Sequence, residues 1–166
     1  MKKNNYLLLP LIVLLIFINS CVGYKPIFSS SNIKFKISDY KIEGNQKIGK
    51  IIYSKLNYLS KYSKDKKNEV QNIFVKINVK KQKKPTSKNS AGKILEYRIL
   101  LNTQILVINY ENKNEILNYN FNDSSPFRVQ DQYSETLKLE NQTLENLINK
   151  NYQDFLIILT ETISKK

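Results

Sequence analysis

Most of the side chains that usually perform catalysis or bind metals are missing from this 166-residue chain. It contains no His and one Cys, so it can form neither an imidazole base nor a zinc site of His and Cys ligands. Its four glycines fall in no phosphate-binding loop pattern. Oxygen-ligand metal sites and Ser–Lys chemistry stay open, but no spacing of residues favours either. The residue types therefore exclude imidazole and zinc–thiolate chemistry, and no pattern indicates another catalytic group, a metal site or a bound cofactor.

The residue best placed for a specific modification is Cys21, which follows an apolar run near the N-terminus. Lys2 and Lys3 precede this run, which covers residues 6–18 and is interrupted only by Pro10. A membrane-spanning helix needs about 20 apolar residues, so the run is short for a permanent membrane anchor. A basic start followed by an apolar stretch of about this length is typical of a secretory signal.

The end of this signal resembles the lipobox of bacterial lipoproteins, in which a small residue precedes a cysteine and an aliphatic residue stands three positions before it. The lipobox residues are Ile18, Asn19, Ser20 and Cys21. The resemblance implies that residues 1–20 are removed as a signal peptide and that Cys21 carries a covalent lipid anchor. More than one acyl chain gives stable attachment to a membrane. The alternative is that Cys21 is an ordinary thiol after a signal.

The residue after the cysteine bears on the location of the protein. It is Val22, whereas Asp at this position holds many lipoproteins at the inner membrane, so the resemblance implies the periplasmic face of the cell outer membrane. Residues 21–32 then form a short lipidated tether. We expect Tyr24 and Phe28 of this tether, and Phe127 in a later predicted loop, to contact a partner.

Hydrophobic periodicity divides the rest of the chain into six elements. Alternation with period two indicates strands, and apolar residues at three- and four-residue steps indicate amphipathic helices. The predicted elements are a strand at 33–42, a helix at 46–62, strands at 73–79, 95–107 and 116–121, and a helix from 133 onward. Residues 80–93 and 122–132 contain Pro and interrupt the alternation, so both are predicted to be loops.

The order β-α-β-β-β-α predicts an α+β fold over residues 33–166. We expect a two-layer sandwich in which a four-stranded, mostly antiparallel sheet carries two helices on one face. Gly49 lies inside the first predicted helix, where it costs about 1 kcal/mol relative to Ala. The second helix, of about 30 residues, would be about 45 Å long. One end of it can therefore project from a small sheet or meet a partner.

The net charge of +13 raises the question of an anionic partner. Four of the lysines, Lys80, Lys81, Lys83 and Lys84, cluster in one predicted loop. The functional interpretation is contact with the phosphates of a glycolipid or with an anionic lipid surface. The alternative is compositional, because the whole chain is rich in Lys and Asn and such loops are usually solvated. With two Arg and no RNA-binding motif, the chain is not expected to bind nucleic acid.

The start of the predicted mature chain resembles the LPS-assembly lipoproteins of the LptE family, notably their alphaproteobacterial branch. In that family the lipidated cysteine is followed by a Gly, an aromatic, a basic residue, Pro, an aliphatic and an aromatic. The matching residues here are Gly23, Tyr24, Lys25, Pro26, Ile27 and Phe28, and Val22 departs from the pattern by separating them from the cysteine. The order of elements, the length and a long C-terminal helix opening near Tyr133 also resemble this family.

This resemblance implies a role without catalysis. Members of the LptE family sit largely inside a large outer-membrane β-barrel, LptD, with which they form a heterodimer. They act as its plug, help it assemble and assist the delivery of lipopolysaccharide to the cell surface. The resemblance also implies that the lysine cluster lies beside the phosphates of lipid A.

Two other classes of function stay open. One is an accessory lipoprotein of an ABC-type lipid transport system in the periplasm, which would need a soluble partner complex and a hydrophobic groove. The other is a hydrolase or adhesin with a site that no motif reveals, in which changing one carboxylate or Ser would abolish turnover.

Overall fold

A computed structural model of the chain describes residues 35–62 and 70–164. The elements are β1 (Phe35–Gly44), α1 (Gln46–Tyr62), β2 (Gln71–Lys88), β3 (Ile94–Asn109), β4 (Glu115–Arg128) and α2 (Tyr133–Ser164). The predicted α+β class and the order β-α-β-β-β-α are confirmed. Both helices begin at their predicted first residues, Gln46 and Tyr133, and α2 has 32 residues.

The four strands form one sheet in the order β1-β2-β3-β4. β1 and β2 are parallel because α1 carries the chain back between them, while β2, β3 and β4 are joined as antiparallel hairpins. The mostly antiparallel sheet is therefore confirmed. A bulge at Ser38 interrupts the alternation of β1 and places Tyr40 and Ile42 on the same face as Ile37.

The prediction of loops at 80–93 and 122–132 is wrong, because most of these residues belong to strands β2 and β4. β2 continues to Lys88, which pairs with Ile94, and β4 continues to Arg128, which pairs with Glu96. Apolar alternation stops earlier in both strands. β3 nevertheless supplies backbone partners beyond that point, and a backbone ladder does not require apolar side chains.

Pro85 is compatible with a strand because its nitrogen faces away from β3. The N–H of Tyr110 donates to the carbonyl of Asn72, so the even-numbered residues of β2 bond to β3 and Pro85 does not. On the other side of β2, β1 has already ended opposite Val79. None of the described strands therefore requires an N–H at this position.

One face of the sheet and both helices enclose a single hydrophobic core. Alternate residues of β2 and β3 are fully buried on this face, among them Ile77 and Ile105. α1 contributes Ile52 and α2 contributes Phe155 to the same cluster. The two-layer arrangement with both helices on one face is thus confirmed, and the second face of the sheet carries polar and partly exposed side chains.

The connection from β1 to α1 depends on a glycine. Gly44 has φ +72°, and a Cβ at this position would overlap the carbonyl oxygen of Val79. That oxygen accepts a hydrogen bond from the N–H of Asn45 at 2.8 Å. The side-chain oxygen of Asn45 in turn accepts from the N–H of Ile48 at 3.1 Å and caps α1. Strand pairing and the start of the helix therefore meet at one point.

Gly49 has a packing role that helix propensity does not indicate. A Cβ there would overlap Cγ2 of Ile42, so the missing side chain permits α1 to pack closely against β1. The unfavourable propensity of Gly49 is offset by this close contact.

Candidate functional site

The predicted site residues near the N-terminus lie outside the described residues. These are the lipobox residues Ile18, Asn19, Ser20 and Cys21 and the tether aromatics Tyr24 and Phe28. Lipid attachment and tether contacts therefore stay predictions from the sequence.

The four lysines of the predicted anion site lie on strand β2, where alternation divides them between the two faces of the sheet. Lys81 and Lys83 lie on the helix side and bond to Glu140 of α2. Lys80 and Lys84 lie on the opposite face. The prediction that all four share a loop is wrong, whereas their contact with glycolipid stays a prediction.

Glu140 holds the two helix-side lysines through separate oxygens. Lys81 Nζ lies 3.0 Å from Oε1, and Lys83 Nζ lies 2.7 Å from Oε2, while the Glu140 side chain is only 13% exposed. Burial raises the pKa of this carboxyl, but the bonds from Lys83 and Lys81 outweigh burial and leave the pKa below its usual value. These three residues form a structural ion-pair cluster that fastens β2 to α2.

Glu140 was not anticipated from the sequence, although one signal was present. It stands three residues after Leu137 and four before Leu144, within the apolar stripe of the predicted helix. A carboxylate in an apolar stripe requires a cationic or hydrogen-bonding partner on the element it packs against. The lysines of β2 become that partner only when β2 is extended past Val79.

Phe127 lies in β4 and not in a loop, and its side chain is 5% exposed. Its ring stacks on Tyr97 at 5.8 Å between centroids, and Lys83 Nζ lies over both rings, 4.7 Å from Tyr97 and 5.7 Å from Phe127. The predicted loop position of Phe127 is therefore wrong, because the extended β4 includes this residue and turns it toward the core. Its contact with a partner stays a prediction.

The open face of the sheet, defined here as the face opposite the helices, carries the remaining candidate cations. Lys84 pairs in register with Arg98, and Lys80 pairs with Asn102. Within residues 35–62 and 70–164, no carboxylate lies within 4 Å of the charged groups of these three cations. An open cavity of about 280 Å³ includes Lys80 and Asn102 in its lining. This face can therefore offer cations to an external anion.

Amide and hydroxyl side chains cover much of the rest of the open face. Cross-strand hydrogen bonds join Asn102 to Asn122 and Gln104 to Asn118, the latter at 3.1 Å. Arg98 donates to the hydroxyl of Ser124 at 3.2 Å. The face thus combines hydrogen-bonding groups with unpaired positive charge, which suits a phosphorylated polar ligand.

The Glu140 cluster leads to a prediction about pH dependence. Because the folded-state pKa is lowered, the stabilisation is present above the unfolded pKa of about 4.3 and is lost as pH falls through the folded value. We expect Glu140→Gln to lower the free energy of unfolding by about 1–2 kcal/mol at pH 7, allowing for the partial exposure of Lys83. Urea unfolding at pH 7 and pH 3 measures the difference from wild type.

Glu145→Gln is the matched control for this measurement, because Glu145 is exposed on the same helix. We expect this control to change stability little at either pH. A loss from Glu140→Gln that is equally large at pH 3 would contradict the ion-pair explanation.

Comparison with known proteins gives structural but no sequence relatives. No family model and no curated protein matches the chain. The solution structure of uncharacterized lipoprotein B from Nitrosomonas europaea is similar with a TM-score of 0.62 and 12% identity, covering 86% of this chain and 93% of that one. A minor lipoprotein from Acinetobacter baumannii is similar with a TM-score of 0.55 and 10% identity, covering 78% and 92%. The chain therefore has a fold found in bacterial lipoproteins.

The described part of the chain contains neither a candidate membrane-spanning helix nor a candidate metal site. Over residues 35–62 and 70–164, neither helix combines the length and hydropathy required to cross a bilayer. The same residues contain no group of three or more acidic or Cys side chains arranged to hold a metal ion.

Proposed function

We propose that this protein is an outer-membrane lipoprotein that acts as plug and assembly partner of an LptD-type β-barrel. It is anchored through lipid on Cys21 at the periplasmic face and assists delivery of lipopolysaccharide to the cell surface. In this role it needs no catalytic residue, metal or cofactor.

The observation that carries this proposal is the fold. Its β-α-β-β-β-α sandwich is shared with bacterial lipoproteins along 93% of the length of the Nitrosomonas structure. The lipobox and the following Gly23–Phe28 segment independently resemble the LptE family. Because the Nitrosomonas structure is only 12% identical in sequence, the shared fold supports the lipoprotein class and nothing finer. The barrel partner and the glycolipid are proposed from the sequence resemblance to the LptE family.

The ion pairs of the described residues favour some of the predicted cations over others for contact with glycolipid. Lys81 and Lys83 are occupied by Glu140, whereas Lys80, Lys84 and Arg98 share the open face without a carboxylate partner in the described residues. We infer that these three cations are the ones that face the phosphates of lipid A. Arg adds a planar group that can bond a phosphate through two N–H donors.

The experiment that tests the proposed function is purification of the tagged, lipidated full chain from its native outer membrane in mild detergent. We expect a large outer-membrane β-barrel in stoichiometric amount by mass spectrometry. Cys21→Ser is expected to reduce membrane attachment and recovery of the barrel together. Recovery of inner-membrane transporter subunits instead would favour the accessory lipoprotein of an ABC-type system and contradict the plug.

The same preparation tests the glycolipid contact. We expect the pair Lys80→Gln and Lys84→Gln to lower the affinity for purified lipopolysaccharide by about tenfold, as expected for two charged contacts near a surface. The matched control is the pair Lys47→Gln and Lys50→Gln, which removes the same charge from exposed positions of α1. Equal affinities in both pairs would exclude the open face as the phosphate site.

A further inference from the structure

The outer edge of β4 pairs with no other strand among residues 35–62 and 70–164. The N–H of Val129 donates to the carbonyl of Leu95, which fixes the odd-numbered residues of β4 as those that bond to β3. The even-numbered residues therefore direct their N–H and C=O groups away from the sheet. They are Asn118, Asn120, Asn122 and Ser124, followed by Pro126, which has no N–H to present.

The other sheet edge carries features that discourage pairing with another chain. β1 contains the bulge at Ser38 and exposed lysines such as Lys41. The part of β2 beyond β1 contains Lys83 and Pro85. Bulges, lysines and prolines are the usual means by which proteins prevent edge-to-edge association.

The edge of β4 lacks these features over most of its length. Residues 116–125 contain no Lys, Arg or Pro, and their pairing with β3 is regular from Leu117 onward. A strand of this length with a free and regular edge can accept another extended strand.

Helix α2 runs beside this edge and forms one wall of a groove with it. The groove has a volume of about 390 Å³, and its apolar surface includes Tyr119 of β4 and Ile157 of α2, which are 42% and 43% exposed. Lys150 closes it on the polar side by bonding Asp123 at 2.6 Å and Asp154 at 3.1 Å. A fifth strand on β4 would thus place alternate side chains against Ile157.

We propose that the free edge of β4, together with this groove, binds an extended segment of a different polypeptide, which adds a fifth strand to the sheet. Donors and acceptors that recur at every second residue match a polypeptide backbone and no lipid or sugar. A second copy of this chain is disfavoured because like charges repel: the full chain carries a net charge of +13, and removal of Lys2 and Lys3 with the signal peptide would leave +11. The occupant is a segment without net positive charge that carries apolar residues at alternate positions.

The identity of the partner rests on the proposed function, under which the segment belongs to the β-barrel. The free edge of β4 does not depend on which protein binds there. One experiment can therefore overturn strand addition at β4 and the proposed barrel partnership separately.

The edge can be blocked without disturbing the β3–β4 ladder. Asn120→Pro removes one outward N–H and is in the same phase as the natural Pro126, so the bonds to β3 remain. Asn120→Ala is the matched control, because it removes the same side chain and keeps the N–H. Thermal unfolding checks that both variants fold.

The readout is the full, lipidated chain purified from its native membrane, with p-benzoylphenylalanine in place of Asn118 as the photo-crosslinker. In the Asn120→Ala background we expect an adduct that maps to an extended segment of the co-purifying barrel. In the Asn120→Pro background we expect at least tenfold less adduct. A third variant, Asn120→Lys, places a positive charge at the β4 edge without changing the backbone. We expect it to give less adduct than Asn120→Ala as well.

The remaining outcomes distinguish failure of strand addition from failure of the proposed function. A barrel that co-purifies equally with all variants, with no adduct from position 118, overturns strand addition and leaves the proposed function intact. Absence of a barrel from the wild-type preparation overturns the proposed function, and strand addition then stands only if a Pro-sensitive adduct maps to one extended segment of another polypeptide. An adduct between two copies of this chain overturns the assignment of the occupant.

Discussion

Phe155→Ala is expected to lower the free energy of unfolding by about 3–5 kcal/mol, which is the usual effect of removing a buried Phe ring. Phe155 is 1% exposed and belongs to the core cluster to which both helices and the sheet contribute. The stability of a single domain is about 5–15 kcal/mol, so this change removes about a fifth of it or more. Urea unfolding of the tag-free domain, followed by far-UV circular dichroism, measures the loss.

Ile157→Ala is the control for this variant. Ile157 lies two residues further along the same helix and is 43% exposed, so its truncation removes much less buried area. We expect a loss of about 1 kcal/mol or less in the isolated protein. Similar losses at the two positions would mean that α2 does not pack on the sheet with the observed face.

Gly44→Ala is expected to lower the free energy of unfolding by about 2–4 kcal/mol. A positive φ costs a non-glycine residue about 1–3 kcal/mol, and the new Cβ would also displace the carbonyl of Val79. That displacement weakens the hydrogen bond that the N–H of Asn45 donates to this carbonyl. Loss of such a bond costs a further free energy of about 0.5–1.5 kcal/mol. Thermal and urea unfolding measure the combined effect.

Gly92→Ala separates the two causes. Gly92 also has a positive φ, of +80°, but a Cβ there meets no atom within 4 Å. We expect Gly92→Ala to lower the free energy of unfolding by about 1–2 kcal/mol, which is the cost of the positive φ alone. If both alanine variants lose the same stability, the close approach of Gly44 to Val79 has no energetic weight.

The elements could be predicted well from the sequence because each has a strong local pattern. The apolar stripe containing Ile48, Ile52 and Leu56 predicts α1, and all three residues are buried in the structure. The alternation of Ile73, Val75, Ile77 and Val79 predicts the core face of β2 with the same success. In these segments the local preference and the tertiary environment favour the same conformation, so a local analysis succeeds.

Prediction failed where strands continue without an apolar alternation. Residues 80–88 contain five lysines and Pro85, which locally favour a loop. They are a strand because β3 provides backbone partners for all of them except Thr86 and because Glu140 forms ion pairs with both lysines on the helix side. Both partners are distant in sequence, so no local window contains the information.

The sequence alone determined the class of fold, the order of its elements and a lipidation signal at Cys21 that the described residues do not include. Periodicity is a local property, and it therefore specifies which side of each element is apolar. Tertiary structure decided which lysines are paired and which are available, because strand phase separates Lys81 and Lys83 from Lys80 and Lys84. It also decided that, among the described residues, β4 has a free edge beside α2, since an edge exists only once the strands have been placed in order.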